Sequence, residues 1–260
     1  MGAVAAVMIG GAAALAAWIV FSIIPEAWRA ARWPVTIVAA IMGALNGCTH
    51  FADTPLPTER VERELLASDR VGEMARAFRD SDPEAFDRYV RDLERAQREG
   101  VESDAMARAM NTLQTAAEPR IAFLPNEDVA AYYDLRRDEM LEFRDADATG
   151  CHPFFHGRAS AAAPTSEALA TRRMELYAKA FRTSGPSPHQ PWTQAEWEFV
   201  LKDLQQRTLQ IVGDDIALLA SDVDVTGREA RACEAIAEFY HQMAVSPQPG
   251  RVFVTLRPTI

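Results

Sequence analysis

The sequence predicts an all-α protein: an N-terminal membrane helix or helical hairpin, then a single bundle-like domain of six or seven helices. Three observations lead there. Two long uncharged runs precede everything else, 23 residues from Gly2 to Ile24 and 20 from Trp33 to Ala52. Apolar residues beyond the prolines of "DTPLPT" recur at helical rather than alternating spacing. Capping patterns and glycines punctuate that periodicity, and no repeat of constant period emerges. The organisation that follows is a membrane or signal region over 1–52, a stiff linker over 53–58 and a soluble helical domain over 59–260.

The first run is long enough to span a hydrocarbon core of ~30 Å at 1.5 Å per residue, which makes 2–24 a candidate transmembrane helix. Between the runs lies "PEAWRAARWP". Its Arg29 and Arg32, flanked by Trp28 and Trp33, have the character of a cytoplasmic interface loop, so the second run, 33–51, travels outward. That places the soluble domain in the periplasm of a bacterial cell envelope. The Arg-rich, Lys-poor basic complement, with only Lys179 and Lys202 as lysines, fits a GC-rich bacterial genome.

The second run ends in "LNGC", Leu45 to Cys48. This resembles the lipobox of bacterial lipoproteins: an aliphatic residue three before the cysteine, a small residue one before it, and the cysteine. The resemblance covers roughly residues 26–48 and implies cleavage before Cys48 and lipidation of its thiol. Gly47 supplies the small size the peptidase needs, and Arg29 and Arg32 supply the charged region ahead of the apolar stretch. Asn46 is a less usual occupant of the middle position. The competing expectation is a two-helix membrane hairpin with Cys48 as an ordinary thiol. The first run exceeds a standard signal, and translation from a position such as Val20 would leave one of ordinary length.

With Cys48 lipidated, Cys151 and Cys233 remain as a candidate disulfide, 82 residues apart in an oxidising compartment. The alternative is two independent buried thiols.

Downstream, the helices follow one another closely. "ERVERELLASDRVGEMARAFRDS" predicts one helix with its apolar stripe at Val61, Leu65, Leu66, Val71, Met74 and Phe78. A capping box over Ser81–Glu84 opens the next, which Gly100 stops, and "VESDAMARAMNTLQTAA" makes a third. Asn126 is the expected cap of a fourth, a loop covers about 148–164, and "TSEALATRRMELYAKAFRTS" is the fifth. Capping boxes at Thr193–Glu196 and Thr226–Glu229 open the last two, the former starting the longest helix, "QAEWEFVLKDLQQRTLQIVGDDIALLAS". The tail "GRVFVTLRPTI" is either extended or a final turn covering the core.

The local motifs point to little chemistry. "DADATG" (145–150) and "DVDVTG" (222–227) share the form D-x-D-x-T-G. A calcium loop of that form requires a bidentate Glu at position 12, where His156 and Cys233 stand instead. The second copy also resembles the haloacid-dehalogenase phosphotransferase motif, which implies Asp222 as nucleophile and Asp224 as acid within a parallel sheet. Strand-like segments are missing on both sides. A turn and a cap suffice for both copies. In "CHPFFHG", Cys151, His152 and His156 fall within six residues and would need a fourth metal ligand from His241 or Glu238. Pro153 is expected to break any helix that would align the two histidines. Cys233 and His241 stand two turns apart, about 12 Å along an axis, too far for a nucleophile and base on one helix. Trp192, Trp197 and Phe199 read as core and staple.

Beyond residue 52 the chain carries 25 basic and 36 acidic residues, a net of −11, which disfavours nucleic acid as a partner. No cofactor, metal or catalytic residue is implied, and His152, His156 and His241 stay as weak metal candidates. The functional expectation is a membrane-anchored, non-enzymatic helical protein facing the periplasm that binds or supports another envelope protein. Two alternatives stay open. One is an immunity-type inhibitor of a secreted toxin, suited by its acidity to a basic effector; the other is a hydrolase with an unrecognised site.

Overall fold

A computed structural model describes residues 58–100, 104–156 and 166–256. The two apolar runs, the linker up to Pro57 and Cys48 lie outside the described residues. Among the described residues the protein is helical throughout, without strands. No helix there is long and apolar enough to cross a membrane.

Among the described residues, nine α-helices of eight residues or more, plus one of five, replace the six or seven expected. The first predicted helix is in fact two, α1 (Thr58–Ala67) and α2 (Gly72–Ser81). Ser68 separates them: its hydroxyl accepts from the backbone of Arg70 and Val71, and its carbonyl accepts from Gly72. A serine offering the backbone such local partners competes with helix continuation. Helix α3 (Pro83–Glu99) starts one residue later than its predicted box. Asp82 is the cap, accepting from Ala85 N at 3.0 Å, and Pro83 occupies the first helical position, where no N–H is needed. Gly100, at φ +100°, ends it as expected. Helix α4 (Asp104–Ala117) runs into a 3₁₀ turn, Glu118–Phe123.

Helix α5 (Asn126–Asp147) is the longest among the described residues. Asn126 does not cap it. Its side-chain oxygen instead accepts from Gly250 N at 3.0 Å and ties the C-terminal helix to the start of α5. A 3₁₀ turn, Ala148–Gly150, and the short helix α6 (Cys151–Phe155) replace the predicted loop there. Then come α7 (Glu167–Arg182), capped by Ser166, and α8 (Gln194–Val212), opened by the predicted Thr193–Glu196 capping box. Gly213, at φ +59°, stops α8 and turns it into a 3₁₀ stretch, Gly213–Leu219, so α8 is shorter than predicted.

Helix α9 (Glu229–Ala244) lacks its predicted box. Arg228 is the cap residue and makes no side-chain cap, because Thr226 is turned toward Asp224. The tail forms α10 (Pro249–Leu256), which buries Val252 and Phe253 and closes the core. Gly250 is required there. A Cβ at that position would lie 2.2 Å from the His189 ring, whose Nε2 is 2.7 Å from Leu124 O.

The α5–α9 pair is the centre of the described helices. Helix α7 packs on one side of α5 and also against α2, linking the centre to the layer formed by α1–α4. Phe78 of α2 stacks on Phe181 of α7, 4.5 Å between ring centroids, and meets Phe86 edge-on. Helix α8 lies outside, packing on α9 and its own 3₁₀ extension.

Candidate functional site

Two features of the described residues stand out, a buried ionic cluster at the centre and an outward helix at the edge.

The ionic cluster grows from the α5 stripe. Val129, Tyr132, Leu135, Glu139 and Phe143 recur every three or four residues, so a carboxylate occupies a core position and is 0% exposed. An isolated charge there would be strongly unfavourable. Two arginines compensate it. Arg173, in the α7 stripe between Leu169 and Leu176, donates to Glu139 Oε1 from Nε at 3.0 Å and Nη2 at 2.6 Å. Arg136 donates from Nη1 to the other carboxylate oxygen at 2.8 Å. Burial would raise the Glu139 pKa, but the two guanidinium groups outweigh it and hold the carboxyl below its ordinary value. Burial likewise works against the Arg136 charge, and Tyr132, Glu139, Tyr240 and Glu118 overcome it.

Aromatic rings seal the cluster. The Arg136 guanidinium lies 4.5 Å over the ring of Phe154 and 6.0 Å over those of Tyr132 and Tyr240. Burial pushes the hydroxyls of Tyr177 and Tyr240 above the usual tyrosine range. Beside them Glu118 accepts from Gln114 at 2.7 Å and from Tyr132 at 3.4 Å. Every charge here is engaged by another protein group, which is the arrangement of a structural lock. The sequence reading singled out none of the charged members, Glu139, Arg136, Arg173 and Glu118. Their signal was their phase, since Glu139 and Arg173 sit where an apolar side chain belongs.

The disulfide fastens this arrangement. The structure joins Cys151, first residue of α6, to Cys233 of α9, with Cα atoms 5.4 Å apart and both residues fully buried. It thereby holds α6 against α9, so that Phe154 covers Arg136 and Phe155 meets Tyr240 edge-on at 5.7 Å.

Pro153 does not break α6. As its third residue it falls in the first turn, where its missing N–H costs nothing. The His152 and His156 rings consequently come within 4.5 Å. They do not make a metal centre. Cys151 is consumed by the disulfide, His152 Nε2 lies 3.0 Å from Ala220 O, and His241 sits beside Arg137 and Asp134. No group of three or more His, Cys, Asp or Glu among the described residues is placed to hold a metal ion.

The two D-x-D-x-T-G segments form the same turn. Asp147 Oδ1 accepts from Thr149 N at 3.1 Å and Oγ1 at 2.6 Å; Asp224 Oδ1 accepts from Thr226 N at 2.9 Å and Oγ1 at 2.6 Å. The Thr226 hydroxyl and amide hold the Asp224 carboxyl below its usual range. In each copy the second aspartate is therefore occupied by its own turn, and Asp222 has no ion-pair partner among the described residues.

At the edge, α8 buries only Leu204 and Thr208. Trp192 and Trp197 stack at its N-terminal end, with the Arg251 guanidinium 4.7 Å over Trp192, and these rings do pack on the core. Phe199 does not. It is 75% exposed, because it lies nine residues from Thr208 and so about 180° around the helix. Residues 194–244, from α8 through α9, contain ten acidic and four basic side chains, a net of −6. An open cavity of about 420 Å³ is lined by Asn126, Pro188, His189, Gln190, Gln248 and Arg251.

No protein-family model, curated protein or solved structure matches this chain.

Proposed function

We propose that this chain is a membrane-anchored, non-enzymatic helical protein facing the bacterial periplasm, which binds or supports another envelope protein. The observation that carries the reading is the disulfide between Cys151 and Cys233, two buried residues from distant parts of the chain. Such crosslinks persist in oxidising compartments. The apolar runs and the lipobox-like "LNGC" supply the anchor, with Cys48 as the lipidated residue. The buried charges favour a structural body over a reaction centre, since Glu139 is saturated by Arg136 and Arg173.

A second reading draws on the −6 section over 194–244: a periplasmic inhibitor of the immunity type that neutralises a basic secreted toxin. A neighbouring gene for a toxin or secretion component would favour it.

Intact mass and fatty-acid labelling of wild type and Cys48→Ala test the anchor. Lipid on the wild type and none on the variant is expected. A wild type that retains residues 1–47 and carries no lipid removes the lipoprotein reading and leaves the hairpin.

A further inference from the structure

Three segments far apart in the chain meet at the open cavity lined by Asn126, Pro188, His189, Gln190, Gln248 and Arg251. Asn126 begins α5, Gln248 and Arg251 stand at the start of α10, and the other three lie in the link between α7 and α8. Each wall is tied to the next. Gly250 N donates to Asn126 Oδ1 at 3.0 Å, and Arg251 Nε donates to Gln190 O at 2.9 Å. His189 Nε2 lies 2.7 Å from Leu124 O, and Ser187 Oγ accepts from His189 N at 3.1 Å. The Arg251 guanidinium rests 4.7 Å over the Trp192 ring. The backbone around the cavity is therefore set by the fold before any ligand arrives.

These bonds use one polar atom of a side chain and leave another. Asn126 Oδ1 is the acceptor for Gly250, so Nδ2 is a donor with no hydrogen-bond partner among the described residues. Gln248 Oε1 accepts from Arg251 Nη1 at 3.3 Å, which leaves its Nε2 as a donor. Leu124 O can only accept, so His189 carries its hydrogen on Nε2 and Nδ1 remains an acceptor. Gln190 binds the fold through its backbone carbonyl, and neither atom of its amide side chain is engaged among the described residues. The lining thus offers both donors and acceptors, with Pro188 as an apolar facet.

That chemistry selects the ligand. No carboxylate lines the cavity, and no group of three or more His, Cys, Asp or Glu among the described residues is placed to hold a metal ion. Arg251 is the one formally charged lining residue, and Glu196 Oε2 answers it at 3.9 Å, so an anion is not singled out. An apolar ligand would take the amides out of water without replacing their hydrogen bonds. A neutral molecule rich in hydroxyls both donates and accepts at each oxygen, as the amides and the imidazole require, and its C–H edge suits Pro188. A volume of about 420 Å³ falls within the range of small-molecule sites.

We propose that this cavity binds a neutral saccharide, with the amides of Asn126, Gln190 and Gln248 hydrogen-bonded to its hydroxyls and His189 Nδ1 accepting from one of them. The inference does not depend on the reading that the chain binds another envelope protein.

The test uses the full chain in nanodiscs of zwitterionic lipid, with empty nanodiscs as blank. Maltose, cellobiose and the disaccharide of N-acetylglucosamine are the free-sugar probes, read by saturation-transfer NMR. Insoluble cellulose and chitin, sedimented with the discs, are the polymer probes. At least one probe is expected to bind. Gln190→Leu should weaken that binding about tenfold, since it removes a hydrogen-bonding amide from the wall. Its thermal midpoint should match wild type, because the amide makes no bond within the fold. Gln205→Leu, at an exposed position of α8, should bind as wild type does. Binding of a disaccharide supports a free sugar as the ligand, and binding of a polymer alone supports the same chemistry within a glycan. Failure of every sugar probe overturns the proposal, as does equal affinity of wild type and Gln190→Leu. Inorganic phosphate is titrated in parallel, and a protein that takes phosphate but no sugar overturns the proposal as well.

Discussion

The centre of the molecule and its edge use the same residue types to opposite ends. In the α5–α7–α9 centre, charges are largely buried and paired: Glu139 takes three hydrogen bonds from two arginines, and aromatic rings cover the guanidinium of Arg136. At α8 the apolar Phe199 is in water, and the charges around it lie at the surface, Asp203 against Arg207 and Glu196 against Arg251. Inside, polar groups specify one packing, and their neutralisation leaves no reactive group free. Outside, an apolar group has no core to join and stays in water. The difference teaches that residue type alone does not assign role here. Position on the helix does.

The largest test of this contrast is Glu139→Ala. It leaves two buried guanidinium groups without their counter-charge and should cost about 3–5 kcal/mol, measured by urea unfolding. A loss below about 1 kcal/mol would mean that the cluster is hydrated and not a lock. The same residue gives a pH dependence. Because its folded pKa is depressed, its contribution is fully present above the ordinary carboxylate pKa and is lost as pH falls through the lower folded value. Acid titration of Glu139→Gln should therefore show a shallower decline in stability than wild type.

Removing the crosslink comes next. Cys151→Ser with Cys233→Ser should cost about 2–4 kcal/mol, with loss of the mobility shift on a non-reducing gel. Its effect should fall on the centre: exchange protection of α6 and of α9 near residue 233 should drop, while α8 keeps its own. Uniform loss across both regions would argue that the edge depends on the clasp as well.

At the edge, Thr193→Ala removes the cap of α8 and should cost about 1 kcal/mol, seen as faster amide exchange in its first turn. The smallest effect expected is that of Phe199→Ser, within about 0.5 kcal/mol of wild type. A larger loss would place Phe199 against some other part of the protein and erase the contrast between the two regions.

Much of the fold was legible because helix signals are local. The stop at Gly100 and the box at Thr193–Glu196 appear where the sequence puts them. The misplacements arose where a side chain had a choice of partners. Asn126 gave up a cap for Gly250 in a distant helix, Thr226 turned back to Asp224, and Ser68 divided a helix whose apolar period ran on through it. Each is a competition between local and tertiary hydrogen bonds of similar strength, which spacing cannot decide.

The sequence by itself determined the helical class, most helix positions, the uneven placement of the uncharged runs and the excess of acid. These follow from periodicity, capping chemistry and composition, which neighbouring residues carry among themselves. Only the tertiary structure decided that Glu139 is a core residue with Arg173 as its counter-charge, that Phe199 is not in the core, and that Cys151 and Cys233 meet. The reason is physical. A carboxylate in an apolar stripe is tolerable only if another helix delivers its counter-charge, and a phenylalanine is buried only if some element packs on its side of the helix. Both conditions depend on segments far apart in the chain, so they come into being when the helices assemble.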